Sequence, residues 1–145
     1  MDDGSPAWRV HAGLCWFSAG LVACGSFLLA PVKFAAQLST LPQLLEVGRL
    51  QFLALHTAQW LLLPTLAAWA YLGRASGWRL AGSVGALALF VVQMGALQPE
   101  LDRRLAMQIL GESPGPSAHH TVYGILEALK IACLVAAGVS RRSKG

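Results

Sequence analysis

Charge is what this sequence has least of. Only 12% of its 145 residues are Asp, Glu, Lys or Arg, about half of the roughly 25% found in soluble domains. Residues 10–32, 50–73 and 80–99 contain none at all. Each run reaches the roughly 20 apolar residues that cross a bilayer. Such a chain can neither stay disordered nor cover itself as a soluble enzyme. Cysteine is scarce too: Cys15, Cys24 and Cys133 all lie in apolar stretches and form no C-x-x-C pair, so no zinc or thioredoxin-like motif is written here. H-E-x-x-H, a phosphate loop and a paired-carboxylate motif are absent as well, which leaves metalloprotease and nucleotide chemistry without a motif.

The net charge is +4, but the basic residues flank apolar runs and no basic loop is interleaved with aromatics, so nucleic acid is not an expected partner. Leu21-Val22-Ala23-Cys24-Gly25 has the form of a lipoprotein cleavage box. The acidic start Met1-Asp2-Asp3 and the apolar continuation after Cys24 argue instead for a retained first span.

The pattern predicts an all-α fold, an integral membrane four-helix bundle in a single domain over residues 1–145. Helices are required because the backbone must satisfy itself in lipid. The spans fall at about 10–32, 50–72, 78–98 and 118–139. Thr40-Leu41-Pro42-Gln43 has the form of a helix start: Thr40 caps, Gln43 follows three residues later, and proline sits in the first turn. The second helix then begins well before its span, and Pro64 is placed to kink it. Pro99 interrupts the third span, and a short interfacial helix follows, with Leu101, Leu105 and Ile109 on one face and Gly111 as its stop.

On the side of both termini stand Arg9, Arg74, Arg79, Arg141, Arg142 and Lys144; on the other stand Lys33, Arg49, Arg103 and Arg104. The positive-inside rule therefore puts both termini in the cytoplasm of a cell membrane, the bacterial inner membrane foremost. Trp8, Trp69, Tyr71 and Trp78 cluster at that boundary as an aromatic belt would. Gly20 with Cys24, Gly82 with Ala86, Gly124 with Ala128 and Ala132 with Ala136 are spaced to let helix backbones approach closely.

The polar residues of the apolar runs gather at one depth. His56 and Gln59 lie in the outer half of the second span and Gln93 and Gln98 in the outer half of the third. His119, His120, Tyr123 and Glu127 lie in the outer half of the fourth, with Lys130 near its middle. His120, Tyr123, Glu127 and Lys130 step along one helical face. Ionisable residues inside a membrane are expensive and mark sites, so His56, Gln59, Gln93, His120, Tyr123, Glu127 and Lys130 are the candidate ligand-binding set. Two readings compete. Glu127 and Lys130 neutralise each other while the rest bond between helices and fix the bundle, or the group forms a pocket for an ion, small molecule or lipid headgroup. His56 and His120, on different helices at similar depth, also suit a metal ion or bis-histidine haem, although no cofactor is required by the sequence. His11 lies at the opposite boundary and is expected to stand apart.

The order of short words resembles the transmembrane protein 205-like family. The matching pieces are the small-rich span from His11 to Ala30-Pro31, Leu41-Pro42 before a long helix, Gln98-Pro99-Glu100-Leu101-Asp102-Arg103-Arg104, and His119-His120 ahead of Tyr123. The resemblance covers roughly Arg9 to Ser140. It implies a small four-helix membrane protein with a copper-resistance-D-like arrangement and no assigned biochemical activity, so no catalytic residue is carried over. Where that family tends to Phe-Pro in the second span and Asn in the fourth, this chain has His56-Thr57-Ala58-Gln59 and Glu127-Ala128-Leu129-Lys130.

These features point first to a structural or accessory membrane component, with the lipid bilayer, other membrane proteins or a second copy as partners. The alternative is a binder or transporter of a small ligand, metal or haem in the outer polar pocket. A membrane enzyme ranks third.

Overall fold

Amphipathic and apolar runs of this length fold as helices, and the computed structural model of the chain, which describes residues 6–36, 39–75 and 77–139, has no strand among the described residues. Ser76 and the basic residues Arg141, Arg142 and Lys144 lie outside the described residues. The first long run comprises α1 (Pro6–Ala23), a π-helical turn (Cys24–Leu29), α2 (Ala30–Val32) and a 3-10 turn (Lys33–Ala35). Next comes α3 (Leu41–Leu72). The third run is α4 (Gly77–Val92), a second π-helical turn (Gln93–Leu97) and α5 (Gln98–Ile109), and α6 (His119–Val139) closes the fold.

Local chemistry sets these boundaries. The Thr40 backbone N–H donates to Gln43 Oε1 at 2.9 Å, so α3 starts at the expected box, and it runs unbroken through Pro64. Pro99 does not interrupt the third run as the sequence led us to expect. It follows a π turn and falls in the first turn of α5, where a missing N–H costs no helical bond. The short surface helix is therefore a continuation of the third run. A left-handed Gly111 (φ 81°) follows it.

Three helical runs, Pro6–Ala35, Gly77–Ile109 and His119–Val139, are long and apolar enough to cross a membrane. The expected second span, 50–72, is not among them, although α3 is long enough; His56, Thr57, Gln59, Pro64 and Thr65 thin its apolar run. Outward-facing Phe17, Leu28, Leu53, Leu61, Val91 and Ile125 leave a broad apolar surface uncovered, far more than single scattered residues would.

The runs pack around Cys15, Ala19, Leu63, Leu66, Ala86, Phe90, Leu134 and Ala137. α4 and α6 approach most closely at Gly82, where an added Cβ would stand 2.3 Å from the Cys133 carbonyl oxygen and 3.0 Å from Ala137 Cβ. Of the expected small-residue pairs, Gly82 with Ala86 is buried in an interface, whereas Gly20, Cys24, Ala128 and Ala132 are exposed. The aromatic belt also divides. Tyr71 and Trp78 are exposed, but Trp8 is buried and joins Trp69 around His11.

The first run and α3 are antiparallel, with contacts near both ends. His11 Nε2 lies 3.3 Å from the Leu66 carbonyl oxygen at one end, and Gln51 Nε2 donates to the Gly25 carbonyl at 2.8 Å near the other.

Candidate functional site: a buried polar network beneath an outer cavity

The residues matched by depth meet at one level. On α6, Glu127 and Lys130 are fully buried, and Lys130 Nζ donates to Glu127 Oε1 at 2.6 Å. Gln93, at the start of the second π turn, bridges the pair: its Oε1 accepts from Lys130 Nζ at 2.7 Å and its Nε2 donates to Glu127 Oε1 at 2.9 Å. The Gln93 amide also reaches the Tyr123 carbonyl at 3.3 Å. From the first π turn, Ser26 Oγ donates to the other carboxylate oxygen, Glu127 Oε2, at 2.9 Å. On α3, His56 Nε2 shares a 2.6 Å hydrogen bond with Tyr123 Oη. The Lys130 ammonium lies 5.1 Å from the Phe90 ring centroid, a cation–π contact.

Every long run therefore contributes, and both π turns deliver a polar side chain to the same carboxylate. Such π bulges tend to occur at functional positions because they re-aim side chains. Within the network the charges cancel, and each named donor has an acceptor. Burying an ion pair is tolerable only under those conditions.

Of the candidate set, His56, Gln93, Tyr123, Glu127 and Lys130 are brought together. Gln59 is buried on α3 one turn from His56, and its side-chain amide has no hydrogen-bond partner among the described residues. His120 stands apart: it is exposed, nearly one turn outward of Tyr123. His56 Nε2 is engaged by Tyr123 Oη. No cluster of three or more His, Cys, Asp or Glu side chains suited to a metal occurs among the described residues.

Sequence reasoning missed Ser26, the α1 member of the network. It is a lone hydroxyl in an apolar run, a weak signal that the same depth matching could have used. His11, expected to stand apart at the opposite boundary, is fully buried. Ser83 Oγ and Cys15 Sγ lie 3.4 Å and 3.7 Å from its ring nitrogens. It forms a second, smaller polar layer at the opposite end of the molecule.

Above the network, toward the α2–α3 and α5–α6 connections, lies a cavity of about 690 Å³. Ser26 and Tyr123 reach it from the network side. Phe27, Pro31, Phe52, Leu101 and Leu105 line it with apolar surface, and Lys33, Arg49, Asp102, Arg104 and His120 bring polar groups to it. The expected apolar face of the surface helix, Leu101 and Leu105, forms one wall. Glu100 is bonded within that helix, and Arg104 ties the helix to the Pro114 and Gly115 carbonyls of the next connection. Glu100 takes bonds from Arg103 at 2.7 Å and 2.8 Å and from Arg104 at 2.8 Å, and the Arg103 contact foremost holds its carboxyl down to about 2.

No known protein family, curated protein or solved structure matches the chain.

Proposed function

We propose that the chain is a multi-pass integral membrane protein with four helices crossing the bilayer, and that it binds a small amphiphilic molecule in the cavity at the outer end of the bundle. Three runs have the length and apolarity for crossing. α3 crosses with them because it lies along α1 from the Leu66 contact to the Gln51 contact. Its polar residues His56 and Gln59 are turned inward, where a lipid-facing position would be costly. Counted with the terminal residues Arg141, Arg142 and Lys144, the Lys and Arg on the side of Arg9, Arg74 and Arg79 number six against four on the other, which favours both termini in the cytoplasm. The kinship suggested by the short sequence words remains part of this proposal.

The observation that carries the binding reading is the cavity itself. Its volume of about 690 Å³ falls in the range of small-molecule sites, and an apolar wall with a few convergent polar groups is their usual composition. The network below is saturated by its own members, so its role is to lock the helices in register and hold Ser26 and Tyr123 at the cavity floor. In that sense the structural and the ligand-binding readings of the cluster describe two adjacent layers.

A neutral, environment-sensitive naphthalene dye with a short alkyl chain tests the proposal on protein in detergent. Saturable one-to-one fluorescence enhancement is expected, and Leu105→Trp, which fills the cavity from α5, should weaken it at least tenfold. Absence of saturation, or a Leu105→Trp protein that binds equally well, would contradict the reading.

A further inference from the structure

We propose that the ligand of this cavity is an anionic amphiphile, a carboxylate or phosphate headgroup on an acyl chain, and that the Lys33 ammonium is the seat of its headgroup. The inference rests on the cavity-binding reading above and names the chemistry of what binds.

Lys33 reaches across to α3. Its amine rests on the bare backbone of Gly48, where an added Cβ would stand 1.8 Å from Nζ and 3.0 Å from Cε. Phe34 flanks it, with the ring centroid 5.1 Å from Nζ. Only glycine at position 48 leaves room for the amine there. Among the described residues Lys33 has no carboxylate partner and no hydrogen-bond acceptor.

The other charged groups facing the cavity differ in this respect. Arg49 is held by both oxygens of Glu46 at 2.7 Å and 2.9 Å. Arg104 is held by Glu100 and by the carbonyls of Pro114 and Gly115. Asp102, the one acid lining the cavity, accepts from Gln98 Nε2 at 2.8 Å and is exposed to solvent. Lys33 is thus the cation whose bonding is incomplete.

A half-buried ammonium without an acceptor is costly. A carboxylate or phosphate oxygen would complete it with a charge-assisted bond, among the strongest polar contacts available. The chain of the same molecule would cover Phe27, Pro31, Phe52, Leu101 and Leu105, each of which gains by leaving water. A free inorganic anion would satisfy Lys33 but leave those walls bare. A neutral amphiphile would do the reverse.

The full chain in phosphatidylcholine nanodiscs, loaded with the neutral dye, is titrated with oleate, with its uncharged counterpart monoolein, and with inorganic phosphate. Oleate should displace the dye at a concentration at least tenfold below monoolein, and phosphate alone should not displace it. Nanodiscs containing phosphatidylglycerol extend the test to membrane phospholipid: displacement there identifies an acidic phospholipid as a source, and displacement by oleate alone identifies a free fatty acid, either of which has the proposed chemistry. Lys33→Gln should erase the preference for oleate.

Gly48→Ala provides the control for folding. It removes no charge and improves helix propensity, yet its Cβ occupies the place of the amine, so it too should lose the preference while melting no lower than the parent. Equal displacement by oleate and monoolein would overturn the headgroup assignment and leave the cavity reading standing, whereas failure of every amphiphile and of the dye would overturn both. A preference for oleate that survives both substitutions would remove Lys33 from its role. Phosphate acting as well as oleate would remove the acyl chain.

Discussion

Lys130→Met is expected to destabilise the protein by about 3 kcal/mol, and the double variant Glu127→Gln/Lys130→Met to recover most of that loss. The reason lies in what each change leaves behind. With Lys130 gone, Glu127 remains fully buried with Gln93 and Ser26 as its donors and no counter-charge. Stranding one partner of a buried ion pair costs roughly 3–5 kcal/mol, while replacing both by packed neutral groups is often near neutral. In Glu127→Gln the amide oxygen can still accept from Gln93, and the amide N–H2, in place of the second carboxylate oxygen, can donate to Ser26 Oγ. Thermal melting in detergent, followed by helical circular dichroism, reads the difference directly. If the single and double variants melt at the same temperature, the two charges are not coupled and the network is not what holds these helices in register.

Gly82→Val should be nearly as damaging, for a reason that involves no charge. The added Cβ would meet the Cys133 backbone oxygen at 2.3 Å and the Ala137 nitrogen and Cβ at 3.0 Å. Neither neighbour is the end of a flexible side chain, so α4 and α6 must separate. Overpacking of this kind costs about 1–3 kcal/mol, and in lipid the lost backbone approach removes much of what drives helix association. Gly20→Val is the matched control, because nothing lies within 4 Å of a Cβ at position 20. A wide gap in melting temperature between the two valine variants is expected. Equal melting would mean that α4 and α6 do not meet as described.

What could be read from the sequence was whatever obeys a period or a depth. The Thr40–Gln43 start of α3, the extent of α6 and the common level of His56, Gln93, Tyr123 and Glu127 all follow from helix geometry and the cost of polar groups in apolar surroundings. The two π turns were not legible, because one inserted residue leaves no compositional mark. They nevertheless decide two outcomes: Pro99 passes without ending the helix, and Ser26 and Gln93 turn toward Glu127. His11 misled for a related reason. A histidine at the very start of an apolar run reads as a boundary residue, and only the inward packing of Trp8 and Trp69 turns that boundary into an interior. Of the two candidate histidines, His56 is buried against Tyr123, whereas His120, three residues before Tyr123, is exposed and lines the cavity. The cavity was least accessible to sequence reasoning, since it is made by segments that meet only after folding, α2, the start of α3, α5 and the start of α6.

The central claim is that all four runs cross a membrane, including α3, whose hydropathy alone does not say so. Single cysteines at Ala7, Ser39, Ala75 and Glu112, in a chain whose Cys15, Cys24 and Cys133 have been replaced by Ala, test it in intact cells with a membrane-impermeant maleimide. Labelling at positions 39 and 112 in intact cells, and at 7 and 75 only after lysis, is the predicted result. Labelling of positions 39 and 75 from the same side would show that α3 does not cross, and would contradict the account.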